Sequence, residues 1–134
     1  MSRLMSVAFT EQAVIERRKT VTRRKGWIFV KPGDRLTLCR KVMGRKPGEP
    51  LVRIAEVEVV DVRRESLAVL SDWYGDDEYR EQCAEVRREG FDPDRLGPAA
   101  FVYRYFVKAQ GMKADDEVTR IEWRYLDAEA GEDR

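Results

Sequence analysis

The stretch Leu51-Val52-Arg53-Ile54-Ala55-Glu56-Val57-Glu58-Val59-Val60-Asp61-Val62-Arg63 decides the fold. Its β-branched residues make it a strand, but the parity of that strand slips. Val52 and Ile54 point one way, Val57 and Val59 the other, and Val60 and Val62 back again. Such slips are the mark of bulges that bend one strand around a small barrel. Upstream, Met43 to Pro50 is a loop rich in Gly, Pro and charge. Before that loop, Asp34 to Val42 alternates as a half-buried strand, with Leu36, Leu38 and Val42 on one face and Arg35, Thr37, Cys39 and Lys41 on the other. Arg40 interrupts the apolar face and is placed at a barrel rim.

Further out, Leu4 to Phe9 reads as a first strand, and Thr10 as the N-cap of a helix over about Glu11 to Arg18 with Val14 and Ile15 inward. Thr20 to Arg24 is extended, Trp27 to Val30 is a compact apolar stretch, and Lys31-Pro32-Gly33-Asp34 is a turn. Beyond Ser66 the chain becomes helical and more acidic. Asp76 to Arg88 carries Tyr79, Cys83 and Val86 at helical spacing, and Gly90 stops it. Pro98 starts another helix through Phe101, Tyr105 and Phe106 to Gly111, whose aromatics read as core packing rather than as a platform for bases. Glu117 to Leu126 closes the fold as a strand, with Ile121, Trp123 and Tyr125 on one face, and Asp127 to Arg134 reads as a flexible tail. The order predicts an α+β protein, a small mixed β-barrel with helices packed outside it, as one domain over residues 1–126.

Composition narrows the chemistry. The chain has 134 residues, 38% of them charged, and a net charge of only +1. Yet from Arg17 to Lys46 twelve Lys or Arg residues face one acid, Asp34, a local net charge of +11. Segregated positive charge of this kind attracts phosphate anions. Histidine is absent, which removes Ser-His-Asp and Cys-His schemes and most zinc-hydrolase schemes. Cys39 and Cys83, far apart and without partner ligands, make neither a disulfide framework nor a zinc motif, and both are expected reduced and buried. No apolar run approaches the roughly 20 residues of a membrane span. A cytoplasmic protein without metal or cofactor, and without membrane association, is the expectation.

A first helix running into Arg18-Lys19-Thr20-Val21-Thr22-Arg23-Arg24 precedes Lys31-Pro32-Gly33-Asp34-Arg35-Leu36 and a Val-rich strand. A helical insert with Glu89-Gly90-Phe91 and a closing Val118-Thr119-Arg120-Ile121-Glu122-Trp123 follow. This pattern resembles an ASCH domain over nearly the whole chain. The resemblance implies a PUA-like β-barrel and a cleft, lined by the basic segment, that accepts RNA, a single-stranded nucleic acid or a modified nucleoside. It also implies a possible metal-independent amidohydrolase acting on N4-acetylcytidine, with Lys19, Thr22 and Glu89 matching that subgroup's lysine, threonine and glutamate. Two departures stand out: the family often has glycine where Arg17 stands, and many members have glutamate where Thr22 stands.

The neighbouring cations Arg17, Arg18, Arg23 and Arg24 would lower the proton affinity of Lys19, so that a neutral amine could deprotonate Thr22. Glu89 would then serve the leaving amine and the hydrolytic water. On an ideal strand positions 19 and 22 face opposite sides, so Lys19 is required at the helix-to-strand junction. As a phosphate-contacting set the sequence offers Arg17, Arg18, Arg23, Arg24, Lys25, Lys31, Arg45 and Lys46, with Trp27 to stack on a base. The competing reading pairs these cations internally with acids of the second half, Asp72, Asp76, Asp77, Glu78 and Glu81 among them.

Overall fold

The computed structural model describes residues 2–73 and 75–126. Five strands form one mixed sheet: β1 (Arg3–Ser6), β2 (Val21–Arg24), β3 (Arg35–Cys39), β4 (Arg53–Ser66) and β5 (Glu117–Tyr125). Their spatial order is β1-β3-β4-β5-β2, with β1 parallel to β3 and every other pair antiparallel. Helices α1 (Glu11–Ile15), α2 (Asp76–Arg88) and α3 (Pro98–Phe101, continued as a π-helix over Val102–Lys108) pack around it.

β4 organises the sheet, because it pairs with β3 along its first half and with β5 along most of its length. The expected slips are present. The β4–β5 register shifts between Val59 and Asp61, and the β3–β4 register between Leu38 and Cys39. Each shift adds a residue to one strand and bends it, so the sheet curls into a half-barrel. This is a small α+β fold of PUA-like architecture. Inside the curl lie Met5, Val7, Val14, Leu36, Leu38, Val57, Val59, Ile121 and Trp123. A second core forms under the helices from Leu67, Leu70, Val86, Phe101, Val102, Phe106, Met112 and Val118. Each fully buried aliphatic or Phe side chain in these clusters contributes about 1.5–3 kcal/mol.

Several boundaries move from their sequence expectation for local reasons. β1 stops at Ser6, because the Thr10 amide turns back to the Val7 carbonyl at 2.9 Å and a 3₁₀ turn leads straight into α1. Thr10 precedes α1 as expected, yet its hydroxyl makes no capping bond. α1 ends at Ile15, short of Arg18, because Arg17 adopts φ = 61° and the Arg18 amide reaches back to the Ala13 carbonyl at 2.8 Å. That 6→1 bond around a left-handed residue is a Schellman stop, a position glycine usually takes. Trp27 also has positive φ, 62°, and Trp27 to Val30 is a tight loop, with Trp27 half-buried and Ile28 and Phe29 exposed. On α2 the buried side is Gln82, Glu85 and Val86, whereas Tyr79 is exposed and Cys83 is only partly buried. The expected apolar stripe is replaced there by a polar one facing β2. Cys39 is buried as expected. The tail assigned to 127–134 lies outside the described residues.

Candidate functional site

Two helix C-termini meet at the start of β2. α2 also ends in a Schellman stop: Gly90 sits at φ = 101° and the Phe91 amide returns to the Val86 carbonyl at 3.1 Å. The two stops touch, since a Cβ on Gly90 would lie 2.7 Å from the Ala13 Cβ and 3.4 Å from the Lys19 Cβ. Only glycine permits that approach. Three successive residues of the basic run then satisfy the last carbonyls of α2. The Thr20 amide donates to Arg88 at 2.8 Å, Lys19 Nζ to Glu89 at 2.9 Å, and an Arg18 guanidinium N–H to Gly90 at 3.2 Å. Cations are favoured at this negative end of the helix dipole.

Lys19 lies at the helix-to-strand junction and is wholly buried, as is Glu89. Its amine also contacts the Glu89 carboxylate at 3.1 Å. From the other end of the fold, the indole N–H of Trp123 and the hydroxyl of Tyr125 both donate to the Lys19 carbonyl. The Lys19 amine is held below its ordinary proton affinity. Burial is the main cause and the Glu89 carboxylate opposes it, while the charges of Arg24 and Arg23 add to the lowering. Desolvation thus outweighs the crowding of cations expected from the sequence.

Arg23 is the next buried cation. Its Nε donates to Glu65 at 2.8 Å, one terminal nitrogen to Glu89 at 2.9 Å, and the other to Glu85. Arg120 reaches Glu85 through two nitrogens, at 2.7 and 3.0 Å, so a single carboxylate joins both guanidiniums. Burial alone would raise the Glu85 carboxyl, but the hydrogen bonds from Arg120 and the charge and hydrogen bond of Arg23 hold it down at about 2. Buried charges survive only with such pairing.

Arg24 occupies the other face of β2. It donates through Nε to the Thr22 hydroxyl at 3.1 Å and through a terminal nitrogen to the Ser6 carbonyl at 2.7 Å. Thr22 is buried, and Arg24 is the residue through which it joins the cluster. Arg24 and Arg23 line a polar pocket of about 130 Å³ with Phe9, Tyr105, Gln110 and the Ser6–Ala8 segment. Phe9 is 68% exposed and meets the Tyr105 ring edge-on at 6.0 Å. The Tyr105 phenol is pushed up, by burial first and by the Glu89 charge second, with Arg24 opposing. The aromatics of α3 are core residues as expected, but Tyr105 has one edge in this pocket. It stands within the π-helical turn, a geometry that often marks functional positions. Sequence spacing gave no sign of Tyr105 or Phe9 at the site; the π-register that re-aims Tyr105 has no pattern of its own.

The remaining expected contacts spread over the surface. Arg17 is exposed, with its guanidinium 5.3 Å from the Tyr125 ring centre. Arg18 pairs with Glu16, and Lys25 with Asp116 at 3.4 Å. Trp27 stacks obliquely on Phe29 at 5.4 Å rather than standing alone. Arg45 donates to the Val42 carbonyl, and the Lys46 amide donates to Glu49. Internal pairing with the second half does occur, through Glu65, Glu85, Glu89 and Asp116. Among the described pairs, Asp77 joins Arg80 and Glu81 joins Arg88, both within α2 rather than with the basic run.

No family model and no curated protein sequence matches the chain. Solved structures do. The ASCH protein of Zymomonas mobilis superposes with a TM-score of 0.51 at 13% identity, covering 90% of this chain and 65% of that one. A protein of Enterococcus faecalis from the family DUF984 gives the same TM-score and identity, covering 94% of this chain and 80% of that one. The chain thus spans less than two thirds of the Zymomonas protein. Among the described residues, no helix is long and apolar enough to cross a membrane. The curled mixed sheet, its surrounding helices and these superpositions together give this chain the ASCH fold.

Proposed function

We propose that the chain binds RNA, single-stranded nucleic acid or a modified nucleoside, and that the pocket beside Arg24 and Tyr105 takes a base. The observation that carries this reading is the composition of that pocket. An exposed aromatic ring, Phe9, stands at a cavity otherwise lined by Arg23, Arg24, Tyr105 and Gln110. A base stacks on the ring and presents its polar edge to the guanidinium and amide donors. At about 130 Å³ the cavity is smaller than the roughly 300 Å³ at the low end of sites that engulf a drug-sized ligand. It therefore receives a base edge and leaves sugar and phosphate outside. Titration calorimetry with cytidine and N4-acetylcytidine tests this. Phe9→Ala is expected to weaken binding by about fivefold or more while the thermal melt is unchanged. Absence of heat with either nucleoside at millimolar concentration overturns the reading.

A second reading, amide hydrolysis of N4-acetylcytidine, is favoured by the buried contact of Lys19 with Glu89 and by the lowered proton affinity of that amine. In it, neutral Lys19 takes the Thr22 hydroxyl proton as Oγ bonds to the acyl carbon. The C–N bond breaks and protonated Glu89 gives its proton to the leaving amine. Glu89 then takes a proton from water, whose oxygen releases the acyl group as acid, and Lys19 returns its proton to Thr22. Cytidine release in the presence of a chelator, lost in Lys19→Ala and Thr22→Val, is the expected result. Full rate in Lys19→Ala removes the scheme.

A further inference from the structure

Two adjoining cavities on the β1–β3–β4 side of the sheet share no lining residue with the pocket beside Tyr105. One, of about 440 Å³, is lined by Arg17, Arg35 and Arg53 among others, and the other, of about 310 Å³, by Arg3 and Arg35. Arg35 belongs to both, so four exposed guanidinium side chains border one continuous hollow. Three carboxylates lie beside them, and each is engaged. Asp34 accepts from the amide and the amine of Lys31. Glu56 accepts from the hydroxyls of Thr37 and Ser2. Glu58, across from Arg35 in the β3–β4 register, is taken by Arg124.

Two arginines at the ends are positioned by aromatic rings. Arg17 is thrown outward by its left-handed backbone and rests over Tyr125. Arg3 lies 4.3 Å from the centre of the Phe29 ring, which in turn packs on Trp27. Phe29 is 51% exposed, so part of its ring is open for a further stacking partner. A row of guanidiniums leading to a held, half-open aromatic matches a strand whose phosphates follow the cations and whose base stacks at the end. A double helix would find no recognition helix or ribbon here to enter its groove.

We infer that Arg17, Arg53, Arg35 and Arg3 form a phosphate track for single-stranded nucleic acid that ends on the Phe29 ring. The inference rests on the ligand being a nucleic acid, as proposed above, but uses a separate surface. It is tested by fluorescence anisotropy with a labelled oligouridylate on the full chain, across a salt series. The Arg35→Glu/Arg53→Glu double variant is expected to weaken binding by at least about tenfold and to reduce the salt slope by about two. Phe29→Ala is expected to weaken it by about fivefold or more with the slope kept. Arg80→Glu, an exposed change on α2, controls for total charge and should leave affinity within about twofold. All these residues are exposed, and thermal melts confirm that the variants fold. Wild-type affinity and slope in the double variant overturn the track, as does equal weakening by Arg80→Glu. Should the oligonucleotide respond to Phe9→Ala but not to the track variants, the base pocket stands and the track falls. Should it respond to the track alone, with no nucleoside bound, the track stands and the base pocket falls.

Discussion

Arg23 and Arg35 belong to the same basic stretch and occupy opposite environments. Arg23 is buried among Glu65, Glu85 and Glu89, and its hydrogen bonds are spent inside the protein. Arg35 is exposed between two cavities, with the facing Glu58 held by another arginine. The charge is equal, but its consequence differs. Inside, a guanidinium is a three-way tie between β2, β4 and the end of α2, and its removal leaves carboxylates stranded in a dry interior. Outside, the same group costs little to keep and remains available to an anion. Local charge density therefore marks two separate jobs, building the site and attracting its ligand.

The sharpest way to break this distinction is Arg23→Ala. Losing one partner of a buried ionic cluster is expected to cost about 3–5 kcal/mol and to lower the melting temperature by at least about 10 °C, against a negligible change for Arg35→Ala. Equal melts for the two variants would abolish the contrast. Gly90→Ala comes next. Its Cβ has no room against Ala13 and the backbone is left-handed, so a loss on the order of 2 kcal/mol is expected in chemical denaturation.

The acid limb of stability tests the same cluster more gently. Because Glu85 in the folded chain titrates at about 2 instead of 4.5, the unfolded chain binds the extra proton between those values. Its stabilising contribution is full above about pH 4.5 and is lost as pH falls toward 2. Melting temperature followed from pH 6 down should drop through about that window, and the drop should be shallower in Glu85→Gln, which starts lower at neutral pH. The smallest effect belongs to Arg40→Ala. Its exposed pair with Glu11 is well formed, at 2.9 Å, yet solvent screens it, and the melt should move by no more than a few degrees.

Much of the architecture was legible from pattern. The parity slips in β4 announced the bulges, α2 ends where Gly90 said it would, and β5 runs through the alternation of Ile121, Trp123 and Tyr125. The interior of the site was less so. A charged residue on an alternating strand reads as solvent-facing, but β2 is covered on both faces, by the half-barrel core and by α2, so Thr22 and Arg23 are both buried. Gln82 and Glu85 broke the apolar stripe of α2 because they answer cations and carbonyls whose burial no hydropathy count records. The meeting of Lys19 and Glu89 was implied by family resemblance alone, since nothing in their spacing brings them together. Arg17 is the instructive exception. Its departure from the family's frequent glycine pointed to the position that proves left-handed.

The carbonyl of Lys19 accepts hydrogen bonds from Trp123 and Tyr125, residues at the far end of the described chain. During synthesis the cations, the α2 carboxylates and the turn at Gly90 all emerge before that last strand does. The junction is fastened only after nearly the whole chain has left the ribosome. A nascent or C-terminally clipped chain would hold most of these residues and still lack the clasp that fixes them, so completeness of the chain is itself a condition of assembling the site.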